Sequence, residues 1–362
     1  MATPTMFGLV SAVAASTRPR VCIVGAGAGG LVAARLLRDV ADVVVFERAA
    51  TVGGIWRPGA PVLYEGLVTN LPKQIMAYRD APFPSEWNSF VTAAQVGEYL
   101  RRYCDQHQLW DCVKLRTPVQ RVKLLSERAQ CGESGEESGE ERGADDSSSS
   151  DAHADQWEVR YGADDADETP TSQTFDAVIV ANGHYETPSY ASLPGADKFP
   201  HRIMHSAEYD TPHPFAGQTV LCIGARSSGT DLAREISAHA ARTLTADKAC
   251  AAREESGAST GLFRTPPVEM LRPDGSVLFA DGTVEPCVNV IIHCVGYEYS
   301  FPFLNGQSGE SGIELDVGER RVSPLYEHLF HAGACLTGTT PCQPPPHPLR
   351  RPPPTPRRRR PN

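Results

Sequence analysis

Long hydrophobic runs are absent from this sequence of 362 residues. No stretch approaches the roughly 18 apolar residues that a transmembrane helix needs, which excludes a membrane-spanning chain. Cysteine spacing typical of metal or redox sites is also absent, because the closest of the ten cysteines are seven residues apart, at Cys287/Cys294 and Cys335/Cys342. We therefore expect free thiols and no metal site, with Cys22 and Cys222 buried in apolar strands.

A surplus of basic residues is missing as well. The net charge is -10, but residues 127–155 alone carry ten acids and two arginines, whereas residues 343–362 carry six arginines and no acid. The rest of the chain is therefore about as acidic as the whole, which argues against a nucleic-acid-binding face. With 41% hydrophobic and 22% charged residues, the composition is that of an ordinary globular protein, and the length predicts two domains.

Three segments have compositions that do not favour a packed structure. Residues 1–17 contain a short apolar stretch without a preceding base, since Arg18 is the first, so we expect a disordered leader, with a cleaved signal peptide as the alternative. Residues 127–155 are rich in Ser, Gly and acids and predict a disordered insertion. The tail at 336–362 is rich in Pro and Arg and predicts disorder, with a proline-rich ligand or basic targeting patch as alternatives.

Two units combine an apolar strand, a glycine-rich turn and a helix. The first predicts a strand at Val21–Val24, a turn at Gly25–Gly30, a helix at Leu31–Arg38 and a returning strand at Val43–Glu47. The second predicts a strand at Thr219–Ile223, a turn at Gly224–Gly229 and a helix to about His239. Both are typical openings of a doubly wound parallel sheet, so we predict an α/β fold with two Rossmann-like domains and two nucleotide sites.

The first turn has the pattern of a dinucleotide site. Its glycines allow a tight turn, close approach of a pyrophosphate and close helix packing, and the helix N-terminus supplies free N–H groups. Glu47 ends the next strand, where its carboxylate would accept the hydroxyls of an adenosine ribose. A second glycine pair, Gly53-Gly54, follows just beyond it. The predicted cofactor-binding residues here are Gly25, Ala26, Gly27, Ala28, Gly29, Gly30 and Glu47.

Three motifs together resemble the flavin-containing monooxygenases. The first is GGIW at 53–56, and the second is VTNLPKQIMAYRDAPFP at 68–84. The third, FPHRIMHSAEY at 199–209, is similar to the family's identifying pattern at Phe199, His205, Ser206 and Tyr209, with His201 where that pattern has glycine. The resemblance implies a catalytic role for Asn70 near the reactive edge of FAD. It also implies cofactor contacts at Gly54, Ile55, Trp56, Thr69, Asn70 and Leu71.

The second turn departs from the glycine pattern. Arg226 stands where the middle glycine belongs, although Gly224 and Gly229 are kept. The resemblance implies that NADPH binds at Gly224, Ser227, Ser228, Gly229 and Thr230. Downstream, Asp247 favours NADH, because an acid accepts ribose hydroxyls, whereas Lys248 favours the 2′-phosphate of NADPH. We predict NADPH, mainly on the resemblance.

The resemblance also implies the arrangement of the chain. Two crossovers, VIVANGHYETP at 178–188 and VIIHCVGYEYSFPFL at 290–304, connect the domains. We expect an FAD domain at 18–194 and 297–335 and an NADPH domain at 195–296. After LYEHLFHAG the likeness to the family ends, and the tail follows.

The resemblance implies a monooxygenase that uses NADPH and O₂ to oxygenate nucleophilic nitrogen or sulfur of small molecules through a flavin hydroperoxide. The alternatives are a truncated, inactive or uncoupled nucleotide-binding product and, on weaker grounds, a Baeyer-Villiger monooxygenase, whose signature ends in Trp-Pro where this chain has SAEYD. A disulfide reductase would need a cysteine pair that the sequence lacks. We expect a cytoplasmic location, or secretion if the leader is a signal peptide.

Overall fold

The computed structural model describes residues 18–125, 156–162, 171–256, 261–304, 315–318, 321–326 and 330–331. The segments predicted to be disordered, at 1–17, 127–155 and 336–362, lie outside the described residues.

The described part of the chain contains four α-helices and 22 strands. The α-helices are α1 (Ala28–Leu37), α2 (Lys73–Met76), α3 (Ala93–Gln106) and α4 (Ser227–Ser237). Single 3₁₀ turns lie at Gly54–Trp56, Leu109–Cys112, Ala196–Lys198, Ser206–Glu208 and His213–Phe215. The strands are β1 (Arg20–Val24), β2 (Asp42–Phe46), β3 (Val113–Lys114), β4 (Val119–Leu125), β5 (Gln156–Tyr161), β6 (Thr171–Phe175), β7 (Ala177–Val180), β8 (Thr187–Pro188), β9 (Arg202–His205), β10 (Thr219–Ile223), β11 (Arg242–Ala246), β12 (Glu254–Glu255), β13 (Leu262–Thr265), β14 (Val268–Leu271), β15 (Val277–Phe279), β16 (Val284–Glu285), β17 (Val290–His293), β18 (Tyr297–Glu298), β19 (Asp316–Gly318), β20 (Arg321–Ser323), β21 (Leu325–Tyr326) and β22 (Phe330–His331).

The first sheet is parallel, with the strand order β3-β2-β1-β7. Its central strand β1 is apolar on both faces because helices cover one face and a second layer covers the other. On one face Ile23 belongs to a buried core with Leu31 of α1 and Leu100 of α3. On the other face Cys22 belongs to a core shared with the antiparallel sheet β4-β5-β6. That second core also contains Phe303, from a part of the chain that follows the whole second sheet.

The second sheet has the order β12-β13-β11-β10-β17-β9 and is parallel except at β12. Helix α4 packs on it through Leu232 and Ile236. The chain enters this sheet after β8 and leaves it into β18, and β8 and β18 pair with each other in antiparallel fashion. The predicted α/β fold, with one doubly wound unit inserted in another, is confirmed.

Both helices that follow the glycine turns begin earlier than predicted. Helix α1 covers Ala28–Leu37 instead of Leu31–Arg38, and α4 begins at Ser227 and ends at Ser237. The reason is that Gly27 and Arg226 already occupy the N-cap position, with extended backbone angles. The three residues after each cap form the first helical turn, whose N–H groups have no partner within the helix. Half of each glycine motif is thus helix instead of loop.

All the cysteines that the structure describes are free thiols, as predicted, and Cys22 and Cys222 are fully buried. Burial raises the pKa of the Cys22 thiol to about 12, so this group is an inert core residue. Within the described ranges the longest helix, α3, has 14 residues, and none of the helices is long and apolar enough to cross a membrane.

Candidate functional site

The backbones of two glycine segments face each other at the carboxyl end of β1. Gly53 donates its N–H to the carbonyl of Ala26 at 2.9 Å, which ties the second glycine pair to the first turn. A Cβ added to Gly27 would lie 3.5 Å from the Cα of Gly54, and one added to Gly54 would lie 3.0 Å from the Cα of Gly27. The gap between the two segments therefore admits backbone but little side chain. Such a bare surface beside a helix N-terminus suits a pyrophosphate group.

The last glycine of each turn packs directly against the first. A Cβ on Gly30 would lie 1.8 Å from the carbonyl oxygen of Gly25, and one on Gly229 would lie 1.8 Å from that of Gly224. No side chain can be accommodated at such distances, so these two glycines are required by helix packing. The two turns are built alike, which supports the prediction of two nucleotide-type turns in one chain.

Glu47 is buried behind the first turn, with 7% of its surface exposed. Its carboxylate accepts hydrogen bonds from the N–H groups of Ala26 and Ala49, each at 2.8 Å. Each oxygen still has a free lone pair in this arrangement, because a carboxylate accepts about four bonds. Glu47 thus joins β2 to the first turn and keeps capacity to accept ribose hydroxyls, and the sequence predicted the second of these properties but not the first.

Asn70 lies in an irregular segment whose neighbours are fixed. Thr69 is buried, pairs through its backbone N–H with Val91, and donates its hydroxyl to the carbonyl of Leu71 at 2.9 Å. Asn70 itself is exposed, and its amide has no hydrogen bond to the residues that the structure describes. The side chain of Leu71 is also half exposed. An unpaired amide held on a fixed backbone is suited to bind a group that arrives from outside.

Lys73 holds the backbone that follows Asn70 in place. The sequence did not identify it as a site residue. Its side chain is buried, and its ammonium donates to the carbonyls of Pro84, Ser85 and Trp87 at 2.5, 3.1 and 2.5 Å. No carboxylate among the described residues pairs with it. The ammonium therefore supplies the three carbonyls with the hydrogen-bond donors that main-chain N–H groups would otherwise provide. It thereby joins the start of α2 to the loop at 84–87. The spacing in NLPK gives no signal for this, because the acceptors are carbonyls.

The second turn presents its polar side chains to solvent. Ser227, Ser228 and Thr230 are exposed in the first turn of α4, and the Thr230 hydroxyl donates to the carbonyl of Ala225 at 3.2 Å. Gly224 and Gly229 lie beneath them in the close packing described above. Arg226 caps the helix with ordinary extended angles and an exposed side chain. A middle glycine is thus not needed for the backbone conformation of this turn.

A cavity of about 190 Å³ lies beside this turn, between α4 and the ends of β11 and β13. Asp247 lines it, and two nitrogens of the Arg264 guanidinium donate to one carboxylate oxygen of Asp247 at 2.5 and 2.9 Å. The other oxygen accepts from the N–H of Ala249. These two partners, the Ala249 N–H first, lower the pKa of Asp247. Sequence analysis weighed Asp247 against Lys248 and missed Arg264, whose signal is an arginine at the end of the neighbouring strand.

The family-like motif at 199–209 lies at the edge of the second sheet. His205 is fully buried, accepts from the N–H of Ala207 at Nδ1, and has Nε2 3.1 Å from the carbonyl of Gly296 in the second crossover. Because Nδ1 accepts, Nε2 carries the proton and donates to Gly296. Burial lowers the pKa of His205, so the ring is neutral at physiological pH. It acts as a structural connection between the motif and the crossover.

A neighbouring histidine is bound in the same manner. His293 lies directly opposite His205 in the β17–β9 pair. Its Nδ1 accepts the N–H of Ala191 at 3.2 Å. Its pKa is also lowered, by burial and by the nearby His205. Neutral imidazoles thus join β9 to the second crossover at Gly296, and β17 to the backbone at Ala191, three residues beyond the first crossover. His201, where the motif departs from glycine, does not have a left-handed backbone conformation.

The loop after Trp56 contacts the second unit. The ring of Tyr64 lies 5.5 Å from that of Tyr209, centroid to centroid, and the Tyr209 hydroxyl donates to Glu235 of α4 at 2.6 Å. Glu65 donates its N–H to the carbonyl of Asp210. The segment that leads to Asn70 is therefore attached to the unit that carries the second turn.

The comparisons with known proteins agree with this geometry. The family model described as flavin-binding monooxygenase-like matches residues 18–152 and 143–252, well over half of the chain. Flavin-containing monooxygenase FMO GS-OX-like 6 of Arabidopsis thaliana is 32% identical over 335 residues, which cover 86% of this chain and 64% of that protein. FMO GS-OX5 of the same organism is 32% identical and is covered over 66% of its length. The chain thus spans about two thirds of the length of these relatives.

Solved structures lead to the same family. S-allyl-L-cysteine S-oxygenase from Allium sativum has a TM-score of 0.72 and 30% identity, and the match covers 87% of this chain and 70% of that one. The flavin-containing monooxygenase from Stenotrophomonas maltophilia, at 23% identity and a TM-score of 0.61, shares the fold. FAD and NADPH are the cofactors of this enzyme class, and the two glycine turns fit two dinucleotides. On the extent of these matches, the chain belongs to the flavin-binding monooxygenase-like family.

Proposed function

We propose that this chain is a monooxygenase that uses FAD, NADPH and O₂ to oxygenate a nucleophilic sulfur, or with lower preference a nitrogen, of a small molecule. For a thioether, one oxygen atom of O₂ enters the sulfoxide and the other leaves as water. NADPH supplies the two electrons as hydride and becomes NADP⁺, and a proton from solvent completes the water. The observation that carries this proposal is the unpaired amide of Asn70 on a segment attached to both units. The S-oxygenase neighbour supports sulfur.

FAD would lie along the first turn and the GGIW segment. Bound there and reduced by NADPH, it supplies the activation of O₂. The bare backbones of Gly27 and Gly54 leave room for its pyrophosphate, and the free N–H groups at the start of α1 would donate to that group. Glu47 would accept the ribose hydroxyls while its two backbone bonds keep it in place. Trp56 and Leu71 would contact the apolar part of the cofactor.

Asn70 would orient the reacting groups. Its amide can donate two hydrogen bonds and accept two, and neither capacity is used by the residues that the structure describes. The buried Thr69 and Lys73 on either side hold the backbone, so the amide needs little reorganisation when the cofactor and NADP⁺ are present. A cytosolic location, where both cofactors occur, is part of this proposal.

NADPH would bind at the second turn with Arg264 as the contact to its 2′-phosphate. Arg264 pairs with Asp247 and, through another nitrogen, with Glu254, so Asp247 repels a phosphate less than a free carboxylate would. Arg264→Ala is expected to raise KM for NADPH at least tenfold and to change KM for NADH less than threefold. Steady-state flavin reduction with each nucleotide measures both values. Arg234→Ala, an exposed arginine on α4 that is 3.7 Å from Asp231, is the control. Equal effects on both nucleotides would exclude contact with the 2′-phosphate.

The proposed activity is tested by three measurements on FAD-loaded protein: NADPH consumed, hydrogen peroxide released, and sulfoxide formed from methyl phenyl sulfide. We expect sulfoxide formation that depends on NADPH and falls at least a hundredfold in Asn70→Ala, while FAD stays bound. NADPH consumption that yields only peroxide in the unmutated protein would contradict oxygenation and favour an uncoupled oxidase. Unchanged sulfoxide formation in Asn70→Ala would remove Asn70 from the site.

A further inference from the structure

A second cavity, of about 560 Å³, lies next to the proposed flavin site. It is bounded on one side by the 3₁₀ turn at Gly54–Trp56 and the loop that follows, and on the other by the first turns of α3. Most of the wall is apolar, with Val52, Trp56, Leu63 and Leu67 among the lining residues. Its volume is in the range of cavities that hold small organic ligands.

Two arginines contribute to this apolar wall. Arg57 is half-buried and Arg101 is exposed at the cavity, and neither guanidinium has a hydrogen bond or ion pair with a residue that the structure describes. Arg57, in partly buried and apolar surroundings, is expected to have an anionic partner, since burying an unpaired charge is costly. The two side chains lie on different elements, so their convergence at one cavity is a property of the fold and not of a local charge run.

The carboxylate that lines the cavity is already paired. Glu98 lines the cavity, but its carboxylate accepts from Arg102 at 2.5 Å. Tyr64, another lining residue, has its pKa raised to about 12 by burial and by Asp231 and Glu235, so its hydroxyl stays protonated. Glu235 in turn accepts from Tyr209. Among the residues that line the cavity, Arg57 and Arg101 are therefore the charged side chains without an ion-pair partner in the described part of the chain.

The cavity borders the segment that carries Asn70. Leu67 lines it, and Ala93, on the opposite wall, donates its N–H to the carbonyl of Leu67 at 3.1 Å. Val68 pairs with Thr92, and Thr69 with Val91, in the same short ladder. A ligand in the cavity would thus contact Leu67, three residues before Asn70 in the sequence, on one side. On the other side it would contact Trp56.

We propose that this cavity binds the substrate, and that Arg57 and Arg101 bind a carboxylate on an otherwise apolar thioether. The apolar wall would hold the body of the molecule, and the arginines would fix its charged end so that the sulfur extends toward the Asn70 segment. The chemical class of the preferred substrate is then an anionic thioether. This inference rests on the proposed function, but its test measures binding without turnover.

The test uses FAD-loaded protein without NADPH and isothermal titration calorimetry. The probes are (benzylthio)acetate and its neutral analogue (benzylthio)acetamide. We expect the acid to bind more tightly than the amide, and Arg57→Gln and Arg101→Gln each to weaken binding of the acid about tenfold without changing binding of the amide. Arg160→Gln is the control, because Arg160 is exposed on β5 and does not line the cavity.

Equal binding of acid and amide, no binding of the acid, or equal effects of all three arginine variants would each overturn the proposal. Circular dichroism and FAD content of every variant show whether the fold is kept. If Arg57→Gln is destabilised, Arg57→Lys replaces it in the test. This variant retains the charge and should keep part of the affinity for the acid. Failure of the proposed function has a different signature. In that case the acid binds with the arginine dependence described, but no sulfoxide forms when NADPH and O₂ are added.

Discussion

FAD is expected to be lost almost completely from a Gly27→Val variant whose fold is retained. The backbone angles of Gly27 are φ -78° and ψ -171°, which valine adopts without strain. Its Cβ would be in ordinary contact with Gly54 at 3.5 Å, but its two methyl groups would cover the bare backbone surface against which the pyrophosphate would lie. We expect bound flavin, measured from the visible spectrum of purified protein, to fall below a tenth of the unmutated level, with unchanged far-UV circular dichroism.

Gly30→Val is the contrasting variant for this experiment. Its Cβ would overlap the carbonyl oxygen of Gly25, 1.8 Å away, so the helix must move from the strand and the first unit should unfold as well as lose flavin. The same argument applies to Gly229 in the second turn, where a side chain would test folding and not nucleotide binding. Retention of flavin in Gly27→Val would show that the cofactor does not approach this gap.

Lys73→Met is expected to destabilise the protein by about 2–3 kcal/mol and to abolish oxygenation. The methionine fills a similar volume but leaves three buried carbonyls without their ammonium donor, and each unsatisfied group costs about 1–3 kcal/mol before relaxation. The backbone that presents Asn70 then loses its attachment to the loop at 84–87. Urea unfolding measures the first effect, and the ratio of sulfoxide formed to NADPH consumed measures the second.

Two further variants separate the role of Lys73 from a general effect of charge removal. Lys73→Arg keeps donors at the same place and should recover more than half of the stability and part of the coupling ratio. Lys198→Met removes an exposed lysine and should change the free energy of unfolding by less than about 0.5 kcal/mol. A Lys73→Met protein as stable and as well coupled as the unmutated one would mean that water satisfies the three carbonyls equally well.

The parts of the structure that depend on local pattern could be predicted from the sequence. Strand β10 was predicted with its observed bounds, and β1 and β2 to within one residue at each end, because a buried parallel strand is a continuous apolar run. The glycine turns were found because their spacing reflects close backbone contacts. The helix starts were wrong by about three residues, because a turn whose last glycine already belongs to the helix has the same sequence pattern as a longer loop.

The features that could not be predicted depend on contacts between distant residues. Arg264 is 17 residues from Asp247 and meets it only because β11 and β13 are neighbours in the sheet. Lys73 is bound by carbonyls, which have no side-chain signature. Arg57 and Arg101 come together at a cavity through the packing of a loop on α3. In each case the sequence shows the type of side chain, but it does not show which distant residues lie next to it in the fold.

The interleaving of the two units has a consequence for the order in which the chain can fold during synthesis. The second sheet uses a continuous stretch, from β9 to β17, and can close as soon as His293 has left the ribosome. The core beside the first sheet needs Phe303, whose carbonyl accepts the N–H of Val122 at 2.8 Å across 181 positions of the chain. The inserted unit can therefore complete its core earlier than the unit that surrounds it. Until then the apolar face around Val122 lacks its last segment, so a ribosome pause after His293 but before Phe303 has left the exit tunnel would expose this face to chaperones for longest.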